Sequence, residues 1–459
     1  MKKNLTHILH NLQRLRYYLI MRIILPINAK KILDTIHAAG FEAYVVGGCV
    51  RDAILGREPG DWDITTNALP EDIKKLFRRT IDTGIEHGTV TVMMGKEGYE
   101  VTTYRIDGKY EDSRHPSEVT FTKNLTEDMK RRDFTINAMA YNEEEGLIDR
   151  FGGLDDIEKK LIRCVGNAKE RFDEDALRIM RAIRFSAQLG YTIEEDTQIA
   201  IKEYVPNLKK ISAERIQVEL VKLLLSDNPD KIRLAYELGI TAVILPEFDR
   251  CMTTEQNNIH HSYTVGEHII QSLINVRSDR ILRLTMLLHD IAKPATLTID
   301  DRGISHFKGH QEMGVKMAHD IFRRLKFDNK TMDSVCNLIR YHDERYTATA
   351  RNVRKAMNKV GANNYPLLLE VRTADTLAQS TYKRDEKLEH LQKLRELYQE
   401  ITEKNECVAL AELAVNGRDL IDRGIAPGKQ IGEILGRMLL DVLDYPEHNT
   451  KEYLLDTFL

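Results

Sequence analysis

The stretch Val46–Thr66 reads VGGCVRDAILGREPGDWDITT. It holds two adjacent glycines (Gly47, Gly48), an Arg-Asp pair (Arg51, Asp52) and two aspartates one residue apart (Asp61, Asp63). Adjacent glycines allow a tight turn and let a ligand come close to main-chain N–H groups. Residues i and i+2 of an extended run share a face, so Asp61 and Asp63 put two like charges on one side. A cation relieves that repulsion, and hard carboxylate oxygens suit Mg²⁺. The Arg51 guanidinium offers a planar donor fork that matches phosphate oxygens. These are the parts of a two-metal phosphoryl or nucleotidyl transfer site.

The flanking sequence predicts the frame around this stretch. Residues 29–40 carry Ile32, Leu33 and Ile36 at helical spacing and end at Gly40. The runs AYVVGG, DWDITT, GTVTVMM, YEVTTYRI and LIDRF are rich in β-branched residues and are separated by turn residues. After Phe151 the character changes. LRIMRAIRFSAQLG and ERIQVELVKLLL show helical periodicity, and Leu388, Leu391, Leu394, Leu397 and Ile401 fall on one helical stripe. The expected fold class is α+β: a mixed sheet with helices at the head, then an all-α body.

Composition narrows the function classes. The chain has 459 residues, 42% hydrophobic and 30% charged, with net charge −4. No run is long and apolar enough to predict a membrane span. The acidic balance means that any nucleic-acid contact must use local basic patches. The five cysteines (Cys49, Cys164, Cys251, Cys336, Cys407) have no zinc-type spacing and suit a reducing cytoplasm. The basic N-terminal segment is broken by Arg22, which argues against a cleaved secretory signal, and an organelle-targeting segment is the alternative. Met21 is expected to be the start, so that a chain beginning there melts and functions like the full one.

Further motifs follow along the chain. KRRDFTINAMAY (Lys130–Tyr141) offers two arginines before an apolar run, and EDALRIMRAIRF places Asp175, Arg178, Arg181 and Arg184 every three residues. With GG, RD and DxD in order upstream, the chain resembles the class II tRNA nucleotidyltransferase and bacterial poly(A) polymerase family, over most of its length. The resemblance implies a polymerase β-like head in which Asp61 and Asp63 hold catalytic Mg²⁺. It makes Glu100 the third carboxylate and brings Gly47, Gly48 and Arg51 to the incoming nucleotide. Arg131 and Arg132 would neutralise the triphosphate, Arg132 being the better match, and Asn137 would order the site. Asp175, Arg178, Arg181 and Arg184 would read the base. The segment 107–121 resembles the family's flexible loop, with His115 where an Arg is common. ERIQVELVKLLLSDNPDKIRLAYELGITAVILPEF resembles the RNA-binding body and VNGRDLIDRGIAPGKQIGEIL the tail, where Pro427-Gly428-Lys429 opens a helical run suited to a phosphate.

Residues 261–375 contain a second series: His268, His289-Asp290, His310, His342 and Asp375, each in helical surroundings. Imidazole and carboxylate ligands suit a divalent transition metal or Mg²⁺. The series resembles the HD phosphohydrolase superfamily, which implies a metal-bound His-Asp pair and, through His310 and His342, room for a second metal. His261 is the alternative first ligand, and His268 is preferred by its distance to the His-Asp pair.

The expected organisation is an extension (1–28), a nucleotidyltransferase head (29–165), a neck and RNA-binding body (166–255), an HD domain (256–380) and a helical tail (381–459). The implied function is addition of C, C and A to a tRNA 3′ end from CTP and ATP, in the cytoplasm and without a membrane partner. The alternatives are an A-adding enzyme or poly(A) polymerase of the same family, or an HD phosphohydrolase with an RNA-binding head.

Overall fold

The computed structural model describes residues 22–108 and 119–459. The expectations for residues 1–20 and for most of the 107–121 loop, His115 included, fall outside them. The chain divides into two compact units, Met1–Ile216 with Glu237–Val243, and Gln217–Tyr236 with Ile244–Leu459.

In the first unit the described strands up to residue 149 run in chain order: β1 (Ala43–Val46), β2 (Ile64–Thr66), β3 (Thr80–Gly84), β4 (Thr89–Met94), β5 (Glu97–Thr103), β6 (Arg105–Asp107), β7 (Val119–Phe121), β8 (Met139–Asn142) and β9 (Gly146–Asp149). Seven form one mixed sheet in the order β3-β4-β5-β2-β1-β8-β9, and β6 pairs with β7. All neighbours in the large sheet are antiparallel except β2 and β5. The AYVV run of β1 is apolar throughout because both its faces are covered. Val45 joins the core built by Ile32, Leu33 and Ile36 of the helix Ile27–Ala38, while Tyr44 and Val46 pack with Tyr104, Met129 and Ala140. Gly40, at φ +83°, lies just beyond that helix as expected.

Three strand expectations change in detail. DWDITT is a strand only from Ile64, and Asp61 and Asp63 lie in the segment leading into it. β3 (TIDTG) was not expected: it pairs only with β4 at the sheet edge, and its exposed, polar residues give no apolar signal. β8 covers the end of the KRRDFTINAMAY motif and the residue after it, where a short buried run gives no alternation.

Among the described residues beyond 165, extended structure shrinks to two-residue pairs, and helices dominate. In the second unit the helix Val265–Ile274 packs on Arg280–Leu288 and on Tyr365–Ala378. Asn329–Tyr341 packs on Arg280–Leu288 and on His310–Arg324. The leucine stripe forms the helix Arg384–Glu403, which buries Leu391, Leu394 and Ile401. Among the described residues no helix is long and apolar enough to cross a membrane.

Candidate active site and metal centre

β1 ends at Val46 and the chain turns through Gly47 into the helix Gly48–Ile54. Gly47 has φ +86°, and a Cβ there would lie 3.0 Å from Arg132 Nη1. Its N–H donates to the Met139 carbonyl (3.1 Å), so a phosphate would meet the first-turn N–H groups of the helix instead. A side chain at position 47 would strain the backbone and push on Arg132. Gly47→Ala should therefore cost about 1–3 kcal/mol of stability and slow turnover; a denaturant titration matching the native chain would contradict this.

The opposite wall comes from β2 and β5. The Asp63 carbonyl accepts from Val46 N–H (3.0 Å), which ties the aspartate segment to the end of β1. The parallel register pairs Ile64 with Val101, and one step back along both strands sets Asp63 beside Glu100. Burial of its carboxyl raises Asp63 to about 6, helped by the charges of Asp61 and Glu100 and opposed by Arg132. The residue keeps accessible surface, so the carboxylate is crowded rather than sealed. Like charges gathered beside a glycine turn fit a divalent cation.

The guanidiniums are held from behind. Arg51 is buried: Nη1 donates to Asn137 Oδ1 (2.6 Å), and Nε and Nη2 donate to Asp52 (2.9 Å each). Arg131 donates to the buried Asp128 (2.9 Å), and Arg132 lies 3.5 Å from the same carboxylate. Burial works to raise Asp128, but these two arginines hold it below the usual carboxylate range. Asp128 and Asp133 were not singled out from the sequence; two acids flanking an Arg-Arg pair were the available signal.

The Asp-Arg stripe is only partly helical. The helix Leu177–Leu189 carries Arg178, Arg181 and Arg184, whereas Asp175 is extended and accepts from Leu177 N–H (3.0 Å). Arg215, also unsuspected, grips the Asp175 carboxylate through both terminal nitrogens (2.8 and 3.4 Å). Arg178 bonds Glu174 and donates to the carbonyls of Arg171 (3.0 Å) and Arg131 (2.9 Å). Arg184 lies 4.0 Å over the Phe185 ring.

In the second unit the helical body brings all six candidate ligands together. They form two groups, His268, His289 and Asp375, and Asp290, His310 and His342, each with ligand atoms within 4.8 Å of one another. Asp290 lies between them: Oδ2 is 3.3 Å from His268 Nε2 and 3.2 Å from His289 Nε2, and Oδ1 is 3.5 and 3.7 Å from His310 and His342 Nε2. His261 packs edge-on against His268 (5.3 Å) and belongs to neither group.

The residues behind the rings indicate what the cluster could hold. Nδ1 of His289, His310 and His342 faces the carbonyls of Met286 (2.9 Å), Phe307 (2.8 Å) and Ile339 (2.7 Å). A carbonyl only accepts, so each Nδ1 carries the proton and each Nε2 presents a bare lone pair. His289 and His268 Nε2 stand 3.3 Å apart, as do His310 and His342 Nε2. Both buried oxygens of Asp290 lack a well-formed hydrogen bond, although Lys293 Nζ lies 2.7 Å from Oδ2. Facing lone pairs around a buried carboxylate fit metal cations. A cavity of about 1080 Å³ opens onto the cluster, with Lys293, Arg302, Lys308 and Arg345 in its wall. Lys293 was not expected from the sequence; it follows the His-Asp pair by one helical turn.

The first unit matches the "Poly A polymerase head domain" over residues 43–163. Residues 190–252 match the family described as "Probable RNA and SrmB- binding site of polymerase A", and 305–458 the one described as "tRNA nucleotidyltransferase domain 2 putative". The CCA-adding enzyme of Lactobacillus helveticus is 35% identical over 412 residues, 90% of this chain and 91% of that protein. The chain belongs to the CCA-adding enzyme family. The crystal structure of the Bacillus stearothermophilus CCA-adding enzyme in complex with CTP has a TM-score of 0.72 at 31% identity, covering 93% of this chain and 96% of that one. The family member from Lactiplantibacillus plantarum is 51% identical over 224 residues, 49% of this chain. In that match the chain spans about half of the relative's length (53%).

Proposed function

We propose that this chain adds C, C and A to tRNA 3′ ends from CTP and ATP, releasing pyrophosphate, in the cytoplasm. The observation that supports this best is the convergence at the end of β1 of the Gly47 turn, the Arg51 and Arg132 guanidiniums and the carboxylates of Asp61, Asp63 and Glu100. Asp61 and Asp63, with Glu100 beside them, would hold Mg²⁺, which when bound neutralises the triphosphate and polarises the α-phosphate. Gly48 and the first helical turn approach the phosphates, Arg51 and Arg132 bind their oxygens, and Arg131 supports Arg132 through their shared Asp128. The RNA 3′-hydroxyl attacks the α-phosphorus and pyrophosphate leaves. The corresponding organisation is a head over 29–165, a neck and RNA-binding body over 166–255, an HD domain over 256–380 and a tail over 381–459.

Cytosine and adenine each present an amino donor beside a ring-nitrogen acceptor; uracil and guanine present the reverse. The Asp175 carboxylate accepts from the amino group and Arg178 donates to the ring nitrogen. Arg215 holds Asp175 in place while Oδ2 keeps acceptor capacity. Arg181 and Arg184 complete the stripe. Leaving buried polar groups unpaired against U or G costs a factor of up to about 10⁴. Asp175→Ala should therefore relax discrimination against UTP and GTP more than it slows addition, and Arg178→Ala likewise. Unchanged misincorporation in both variants would remove this account of selection. The function itself is tested by incubating the protein with CCA-less tRNA, Mg²⁺ and each NTP separately; a product ladder separates CCA addition from A addition or a poly(A) tail.

A second reading applies to the other cluster. The two ligand groups around the buried Asp290 favour a metal-dependent phosphohydrolase with a divalent transition metal at His268, His289, Asp290, His310, His342 and Asp375.

A further inference from the structure

Beneath the head site runs a chain of polar contacts that begins at the half-buried Arg181 of the Arg-rich helix. Arg181 Nε donates to Asp133 Oδ2 (2.7 Å), with Nη2 at 2.6 Å from the same oxygen. Asp133 is buried, and its Oδ1 accepts from Phe134 N–H (2.8 Å) and from Asn137 Nδ2 (3.0 Å). Asn137 turns its own oxygen to Arg51 Nη1 (2.6 Å). A carboxylate only accepts and a guanidinium only donates, so the Asn137 amide fits between them in one orientation alone. Both arginines also stack on one ring: Arg51 lies 5.0 Å and Arg181 5.3 Å from the centre of Phe185. Burial works to raise Asp133, but Arg181 and the Asn137 amide hold it down at about 2, so the relay carries its charge throughout the neutral range.

We propose that Asp133 is a positioning residue that couples the helix Leu177–Leu189 to the phosphate clamp Arg51, so that seating a base and gripping a triphosphate are one cooperative event. A displacement of Arg181 moves the Asp133 carboxylate, which turns Asn137 and shifts the Arg51 fork. The inference rests on reading Arg51 as the triphosphate clamp. It gives Asp133 no contact with the nucleotide, since its two oxygens already accept from three residues. Contacting residues in one network are coupled, whereas independent residues lose affinity multiplicatively.

The test is a double-mutant cycle read by calorimetric binding of inorganic tripolyphosphate, which has no base. Arg181→Ala should weaken tripolyphosphate by about fivefold or more in the otherwise native chain and by less than about twofold in the Asp133→Asn chain. Equal losses in both backgrounds would mean that Arg181 acts on the phosphates directly, and the proposal fails. No loss in either background, or no tripolyphosphate binding by the native chain, also overturns it. If Asp133→Asn does not fold, Asn137→Ala serves as the second background, because it breaks the relay between Asp133 and Arg51 and leaves the Arg181–Asp133 pair in place. A native chain that shows the coupling but adds no nucleotide to CCA-less tRNA sinks the proposed function and leaves the relay standing.

Discussion

Asp61→Ala or Asp63→Ala is expected to lower nucleotide addition by at least about 10³-fold, several kcal/mol of barrier, while leaving tRNA binding nearly intact. Both carboxylates lie at the entrance to β2, outside the hydrophobic core, so the fold has little need of them. The state of Asp63 adds a pH signature. Burial, then Asp61, raise it from an ordinary 3.8 to about 6, so the folded chain binds a proton that the unfolded chain has already released. Stability from this group is therefore present at low pH and is lost as the pH rises from about 4 through about 6. A divalent cation offsets that repulsion only once the carboxylate is ionised. Mg²⁺ should raise the melting temperature more at about pH 7.5 than at about pH 5, and hardly at all in Asp63→Ala. Equal increments at both pH values, or an undiminished increment in the variant, would place Mg²⁺ elsewhere.

The second large effect is expected in the histidine cluster. If the cluster is the proposed metal centre, His289→Ala should lose the transition metal of its group and any metal-stimulated hydrolysis of model phosphoesters, with nucleotide addition unchanged. His342→Ala should lose the metal of the other group and retain the first, because Asp290 and the remaining imidazoles are divided between the two positions. Elemental analysis of dialysed protein gives the stoichiometry for each variant. Metal saturation at 100 times Kd stabilises by about 2.7 kcal/mol, so chelation should also lower the melting temperature of the native chain and not that of a double variant. A native chain with neither bound metal nor metal-stimulated hydrolysis would leave the cluster a structural feature only.

Local sequence determined much of this protein. Adjacent glycines, an Arg-Asp pair and a DxD bear on phosphate and metal by residue type alone, and they stand in the order in which β1, its helix and β2 use them. Apolar periodicity separated a mixed sheet from a helical body, since burial on one face imposes a period of 2 on strands and 3.6 on helices. Strands without that signature were illegible: β3 is polar at the sheet edge, and β8 is short and covered on both faces. Tertiary structure alone decided how the ligands are shared. Six candidate ligands spread over 108 positions become two groups because packed helices and the turns at their ends aim them inward, and His268 rather than His261 belongs to the cluster. It also decided who holds the functional side chains. Arg215 meets Asp175 across 40 residues and Asn137 meets Arg51 across 86. Such partners are chosen by the geometry of packed elements, and a hydrogen bond between distant residues leaves no mark on the spacing of either one.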